Sequence, residues 1–398
     1  MDSPFSLFKL CLKGSVMLLF LTLAIPAEST DIPLDSCFQK VAKGIPKWHI
    51  FHKLCKPIII GHRGNPSHRQ ENTIEGFKSV QEFGGQGFEL DVVLTKDKKL
   101  VLFHDSNVKK VTGVDRKIQD MTSEEIKELR YTTSIEYGSK TYTFRRRLKL
   151  TFLERVLKWM KNKDLLVLIE TKPDLIVLDG NAQKNSKETG IAVAKMVRSL
   201  GMEDQVIING FDYYAVLSAK LEFPRLVVGT FVYAELFSQE PETYGMLKDQ
   251  FKRLMPGLET CLDELPNDNS TFDFLYKSGT LEKSMDANYN MIDARIFNNI
   301  KYGGAPNADS FKMIKKNYGK RFVTGAGIFY PLGFEESVIS QFEPVFKALV
   351  NAGADILVTD DLRRTKQLVR ETLSDSCHAQ KKAVKRRTKS RLLKHDWI

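Results

Sequence analysis

The sequence predicts an α/β fold, a (β/α)8 TIM barrel with insertions after strand 2 and strand 5. Three observations lead there. Short apolar runs alternate with helical patterns between residues 57 and 376, about eight such units occur, and the polar exceptions gather at the far ends of the runs. Alternation of this kind calls for parallel strands joined by crossover helices, and about eight units close a barrel that commonly runs to roughly 250 residues as one domain.

In chain order, strands are expected over 57–61, 87–94 with 100–104 as its short partner, 165–170, 205–210, 226–232, 291–296, 321–327 and 355–359. Each is a short run rich in Val, Ile and Leu, bounded by Gly, Pro, Asn or Asp. Helical periods fall between them over 73–83, 152–160, 187–200, 213–221, 337–350 and 363–373. Two stretches break the repeat. Residues 105–149 form a polar insertion with a short helix over 123–129 and a basic knot, Arg145 to Arg147; residues 233–286 are rich in charge and without clear period. Insertions after barrel strands land on the active-site face, so both are expected to shape substrate access.

The flanks have a different character. Lys9 and Lys13 precede an apolar stretch of eleven residues, 15–25, followed by PAEST with small residues suited to cleavage near Ala27 or Ser29. A membrane span needs about 20 apolar residues, so residues 1–29 read as a signal peptide, with a signal anchor as the alternative. Residues 30–56 are then an N-terminal extension, 57–376 the barrel and 377–398 a basic tail. Loss of the leader removes Cys11 and leaves Cys37, Cys55, Cys261 and Cys377, an even number suited to disulfides, with three possible connectivities. Asn269-Ser270-Thr271 is a glycosylation sequon. The expectation is a secreted glycoprotein, in the extracellular space or in the ER or lysosomal lumen.

Of the formal charge of +11, residues 381–398 supply +7, from eight Lys or Arg against one Asp. The remaining +4 on some 380 residues argues against specific nucleic-acid binding. The tail itself is expected to touch anionic membrane peripherally.

Chemistry concentrates at the strand ends. Glu89 and Asp91 lie two apart in GFELDVVL, and Glu170 and Lys172 two apart in LLVLIETK; residues i and i+2 of a strand share a face. IIIGHRG ends in His62 and Arg63, and KLVLFHD ends in His104 and Asp105. A parallel barrel gathers its C-terminal strand ends around one mouth, so these residues converge although far apart in sequence. Glu89, Asp91 and Glu170 supply oxygen ligands for one hard divalent cation, Mg²⁺ or Ca²⁺, and the absence of a nearby thiolate argues against zinc. Arg63 offers a fork for phosphate oxygens and Lys172 a point charge. His62 and His104 can share acid and base roles, in either assignment. Singly, each residue has a plain structural explanation; six polar residues ending apolar strands together point to phosphodiester chemistry.

These segments resemble the glycerophosphodiester phosphodiesterases. The resemblance rests on GHRGNPSHRQENTIEGF, GFELDVVLTKDKKLVLFHD, LTFLERVL, LIETK, VIINGFD and NAGADILVTDD, in that order from about residue 57 to 365. It implies a TIM barrel that hydrolyses glycerophosphodiesters to an alcohol and glycerol 3-phosphate. His62 and His104 are implied as acid and base, Arg63 and Lys172 as phosphate ligands, and Glu89, Asp91 and Glu170 as metal ligands. Glu71 and Asn72 match the family's Glu-Asn-Thr element, and Phe211 matches a pocket aromatic after strand four; these three enter on the resemblance alone. The run FVTGAGIFYP, 322–331, departs from the Trp-Thr-Val-Asn usual at strand seven, which leaves the alcohol or lipid group open. A lysophospholipid- or sphingolipid-directed phosphodiesterase of the phospholipase D type, working through a cyclic phosphate, is the first alternative. A secreted phosphoester-binding protein without turnover is the second.

Overall fold

Three consecutive isoleucines make β1, Ile58–Gly61, a strand with both faces buried, the pattern expected of a parallel strand covered on both sides. The computed structural model describes residues 44–137, 140–172, 180–232, 289–293, 316, 323–328 and 335–373. The leader 1–29, Cys37, Cys261, Cys377, the sequon at Asn269, the insertion 233–286 and the tail 377–398 lie outside the described residues.

The other strands are β2 (Gly87–Leu94), β3 (Leu100–Leu102), β4 (Ser134–Tyr137), β5 (Lys140–Thr143), β6 (Leu166–Thr171), β7 (Val206–Asn209), β8 (Val227–Val232), β9 (Tyr289–Asp293), β10 (Val323–Ile328) and β11 (Ile356–Thr359). Eight of them run parallel in the order β1-β11-β10-β9-β8-β7-β6-β2, with β3 antiparallel on β2. Gly61 of β1 pairs with Phe88 of β2 and closes the circle. The result is the expected (β/α)8 barrel.

Strand alternation sorts the apolar residues. Ile58, Ile60, Leu166, Leu168, Ile207 and Val358 meet inside the barrel, while Ile59, Leu90, Ile169, Ile208 and Leu357 face the helices. Those helices are α1 (Ile74–Glu82), α4 (Leu153–Met160), α5 (Gly180–Leu200), α6 (Tyr213–Glu222), α7 (Glu336–Ile339), α8 (Glu343–Asn351) and α9 (Leu362–Thr372), with α2 (Lys109–Thr112) and α3 (Ser123–Glu128) between β3 and β4. Side chains of Thr73, Asp212 and Asp361 cap α1, α6 and α9 by accepting a backbone N–H of the first turn. The single helix expected over 337–350 is broken into α7, a 3-10 turn at Ser340–Phe342, and α8. Pro344 stands in the first turn of α8, where its missing N–H costs nothing but its ring bars continuation from the preceding turn.

The insertion after strand 2 is less polar inside than its composition suggests. Val108, Val111, Ile118, Met121, Ile126, Tyr131 and Ile135 pack with Val93, Val101 and Phe103 into a core of their own. Its apolar residues are scattered singly, which hides the core from a search for runs. Antiparallel β4 and β5 form a hairpin above it. Among the described residues no helix is long and apolar enough to cross a membrane.

Ile45, Ile50 and Phe51 fill the N-terminal end of the barrel. Fully buried His49 fixes this floor: Nε2 donates to Val206 O at 3.2 Å and Nδ1 accepts the Phe51 N–H. Burial lowers its pKa from 6.5 to about 4. The unfolded chain therefore takes up this proton first, and stability present above pH 6.5 is lost as pH falls through about 4. That lowering corresponds to a destabilisation on the order of 3 kcal/mol at full protonation. Urea unfolding at pH 7 and pH 4.5 should show a falling midpoint, with a shallower fall in His49→Gln.

Candidate active site

The mouth of the barrel begins with a strained turn. After β1, Arg63 and Gly64 adopt φ of 52° and 99°, and Asn72 adopts 53°. The Asn72 N–H donates to Arg63 O at 2.9 Å, joining the two ends of the loop. A Cβ at Gly61 would meet Gly64 O at 1.8 Å, so only glycine fits there. Asparagine tolerates the left-handed region, but for arginine it costs on the order of 1 kcal/mol or more. The turn places the Arg63 N–H on Glu89 Oε2 at 2.9 Å.

Glu89 and Asp91 of β2 share the inward face, because Leu90 between them packs outward. Glu170 of β6 follows inward Leu168 and stands beside Asp91 in register. All three carboxylates are buried, each offering an oxygen within 4.8 Å of the others. Lys172 Nζ lies 2.5 Å from Glu170 Oε1 and 3.5 Å from Asp91 Oδ1. Arg63 Nε lies 3.5 Å from Asp91 Oδ2. Asn72 holds Asp91 at both ends: Nδ2 donates to Oδ2 at 2.9 Å and Oδ1 accepts the Asp91 N–H at 3.1 Å.

Both histidines are oriented by a carboxylate. His62 Nδ1 is 2.7 Å from Asp360 Oδ1, and its Nε2 is 3.9 Å from Glu89 Oε2. Half-buried His104 has Nδ1 2.6 Å from Asp105 Oδ1. A carboxylate at Nδ1 favours the tautomer with that nitrogen protonated and presents Nε2 for chemistry. Burial lowers the pKa of both rings; at His104 the positive charges of Arg63 and Lys172 add to it.

Burial, with Asp91 and Glu170 close by, pushes Glu89 well above the ordinary carboxylate range. Burial would raise Asp91 too, but His104, Lys172, Arg63 and the Asn72 hydrogen bond outweigh it and hold Asp91 low. Burial also raises Glu170, against the pull of Lys172. Among the described residues, Glu89 Oε1 and Asp91 Oδ1 have no hydrogen-bond partner. Buried carboxylate oxygens in that condition, three carboxylates deep, fit a hard cation with oxygen ligands.

Phe211 stands after β7, half-buried, edge-to-face with Phe231 at 5.1 Å and packed on the interior cluster. On β10, Val323 faces the interior while Ala326 and Ile328 face the helices. Gly325 and Gly327 are therefore on the inward face and leave that wall bare.

The family model for glycerophosphoryl diester phosphodiesterases matches residues 62–253, the part of the chain that carries every one of these site residues except Asp360. Residues 62–253 of the chain belong to the glycerophosphodiester phosphodiesterase family. A glycerophosphodiester phosphodiesterase of Caldanaerobacter subterraneus is 35% identical over 174 residues, 44% of this chain and 66% of its own length. A lysophospholipase D of Homo sapiens is 40% identical over 62 residues, 16% of this chain and 20% of its own. The chain spans 56–66% of the length of the first four curated relatives. Among solved structures, a glycerophosphoryl diester phosphodiesterase from Silicibacter pomeroyi superimposes with a TM-score of 0.52 at 18% identity, covering 79% of this chain and 92% of that one. An Oleispira antarctica phosphodiesterase in complex with the product sn-glycerol-3-phosphate gives 0.51 at 17% identity, covering 80% and 98%. At such identities these two speak for the fold.

The barrel brings His62, Arg63, Glu71, Asn72, Glu89, Asp91, His104, Glu170 and Lys172 to one mouth; Phe211 follows β7 and packs on Phe231. Sequence reasoning missed three residues. Asp360, at the end of β11, shows the same signal as the others, a carboxylate closing an apolar run, but no second charge stands two residues away to mark it. Asn209 is buried beside Glu170 in register, with neither end of its amide hydrogen-bonded among the described residues, and a single asparagine in VIINGFD gives no pattern. Tyr137 comes from the hairpin and donates its hydroxyl to Glu71 Oε2 at 2.7 Å; nothing in its local sequence marks it.

Proposed function

We propose that the protein hydrolyses glycerophosphodiesters to an alcohol and glycerol 3-phosphate with one bound divalent cation. The observation that carries this reading is the buried carboxylate triad Glu89, Asp91 and Glu170, flanked by Arg63 and Lys172 and by two histidines each held by a carboxylate. The three carboxylates would hold Mg²⁺ or Ca²⁺, which when bound neutralises charge on the phosphoryl group as a Lewis acid. Arg63 and Lys172 bind phosphoryl oxygens. One histidine takes the proton of the attacking water and the other returns one to the leaving alkoxide, each through Nε2. Asn72 keeps Asp91 aimed inward.

A lysophospholipid substrate is the second reading, favoured by the 62-residue match to a lysophospholipase D. The bare inner face of β10 at Gly325 and Gly327 suits a larger group. Product analysis with glycerophosphocholine and lysophosphatidylcholine, with and without a chelator, separates the two. Chelator-sensitive glycerol 3-phosphate is the expected result; turnover of the lysolipid alone would move the assignment to the lipid enzyme. No turnover of either, with metal supplied, would leave a binding protein.

We further propose residence in the secretory pathway. The reading is supported by Cys55, which is disulfide-bonded, since such bonds persist in oxidising compartments.

A further inference from the structure

Neighbouring residues of the active-site loop grip the hairpin of the insertion. Gln70 Nε2 donates to Thr132 O at 2.9 Å and to Arg146 O at 3.2 Å, one carbonyl on each side of β4 and β5. Glu71 accepts the Tyr137 hydroxyl at its Oε2. The Tyr137 ring packs edge-on against Tyr142 across the hairpin, with centroids 5.6 Å apart, so the hydroxyl is held in place from behind.

The other side of Glu71 faces Arg63. Arg63 Nη1 lies 3.5 Å from Oε1 and 3.4 Å from Oε2. A bidentate guanidinium–carboxylate fork closes at about 2.8 Å, so this pair is loose. Arg63 Nε likewise stands 3.5 Å from Asp91 and, among the described residues, has no hydrogen-bond partner. The guanidinium is surrounded by carboxylates and saturated by none of them.

We propose that Tyr137 is a positioning residue for the phosphate site: by occupying Glu71 Oε2 it keeps that carboxylate from closing a fork on Arg63, so that the guanidinium stays available to phosphoryl oxygens. The insertion is then a working part of the site, coupled to it through one hydroxyl. The proposal rests on the reading of Arg63 as a phosphate ligand. Burial, then the charge of Glu71, raise the pKa of the phenol, so the hydroxyl is a donor at neutral pH.

The test measures binding of inorganic phosphate and of sn-glycerol 3-phosphate to the full chain by calorimetry, beside KM and kcat, in wild type, Tyr137→Phe, Glu71→Gln, the double variant and Arg63→Ala. Phenylalanine keeps the ring on Tyr142, and melting temperature and circular dichroism check the fold. Tyr137→Phe should weaken both ligands about tenfold, equivalent to about 1.4 kcal/mol, and raise KM in proportion, with kcat within about twofold. In the Glu71→Gln background the same change should have no effect, because the competing charge is gone. Equal losses in both backgrounds would make Tyr137 a packing residue and overturn the proposal, as would a loss of phosphate affinity in Glu71→Gln alone. Unchanged affinity in Tyr137→Phe with weakened binding in Arg63→Ala sinks the role of Tyr137 and leaves the phosphate site standing. Unchanged binding in Arg63→Ala would remove the phosphate-site reading itself.

Discussion

Alanine at His104 should lower kcat by about 10²–10⁴, the range for loss of a positioned acid or base, with the melting temperature within a degree or two of wild type. Half-buried His104 leaves behind Asp105, whose carboxyl is held low first by the His104 hydrogen bond, but which water can reach. His62→Ala should cost the same in kcat and more in stability. Its loss strips buried Asp360 of the 2.7 Å partner and removes the ring standing 3.9 Å from Glu89, leaving a buried carboxylate without that hydrogen bond. His104→Ala is therefore the cleaner probe, and near-normal turnover in both variants would end the acid–base mechanism. Steady-state rates on glycerophosphocholine, with melting curves of each variant, decide it.

The barrel was legible because its strands are fully buried and so nearly unbroken in apolarity. The limits of β2 came out as expected, and most others within one or two residues. The charged exceptions were legible for the same reason, since a Glu or Lys inside such a run has no place in a core. Signals without that contrast were lost. The core of the first insertion rests on single apolar residues such as Ile118 and Met121, spaced by turns and short helices. Tyr137 reaches Glu71 across 66 positions of sequence, a contact made by tertiary docking and by no local period. Asp360 takes its meaning from the pairing of β11 with β1, which puts it against His62. Glu71 and Asn72 show what resemblance adds: from the residues alone they are a loop and a helix start, whereas in the fold Asn72 spans both ends of Asp91.

Glu89→Gln should separate stability from cation binding in opposite directions. Burial, Asp91 and Glu170 raise the Glu89 pKa, so the metal-free protein holds a carboxyl that resists ionisation. A raised carboxyl pKa means the folded state keeps a proton that the unfolded chain releases above its own pKa, near 4.5. Stability of the metal-free protein thus falls as pH rises from that value toward the folded pKa. Glutamine removes this slope, and its carbonyl can still accept the Arg63 N–H that Oε2 accepts at 2.9 Å. Unfolding in chelator at pH 7 should therefore show the variant at least as stable as wild type. The cation should act in the reverse sense. A divalent ion bound only by the folded state stabilises it by mass action, about 2.7 kcal/mol at a hundredfold excess over Kd, and that gain should be much reduced without the Glu89 charge. Melting curves across Mg²⁺ and Ca²⁺ titrations, read without any substrate, test both halves. Equal cation-induced shifts in wild type and Glu89→Gln would strike Glu89 from the ligands, whereas a variant less stable in chelator would mean that the Glu89 charge is already compensated by Arg63 and its neighbours.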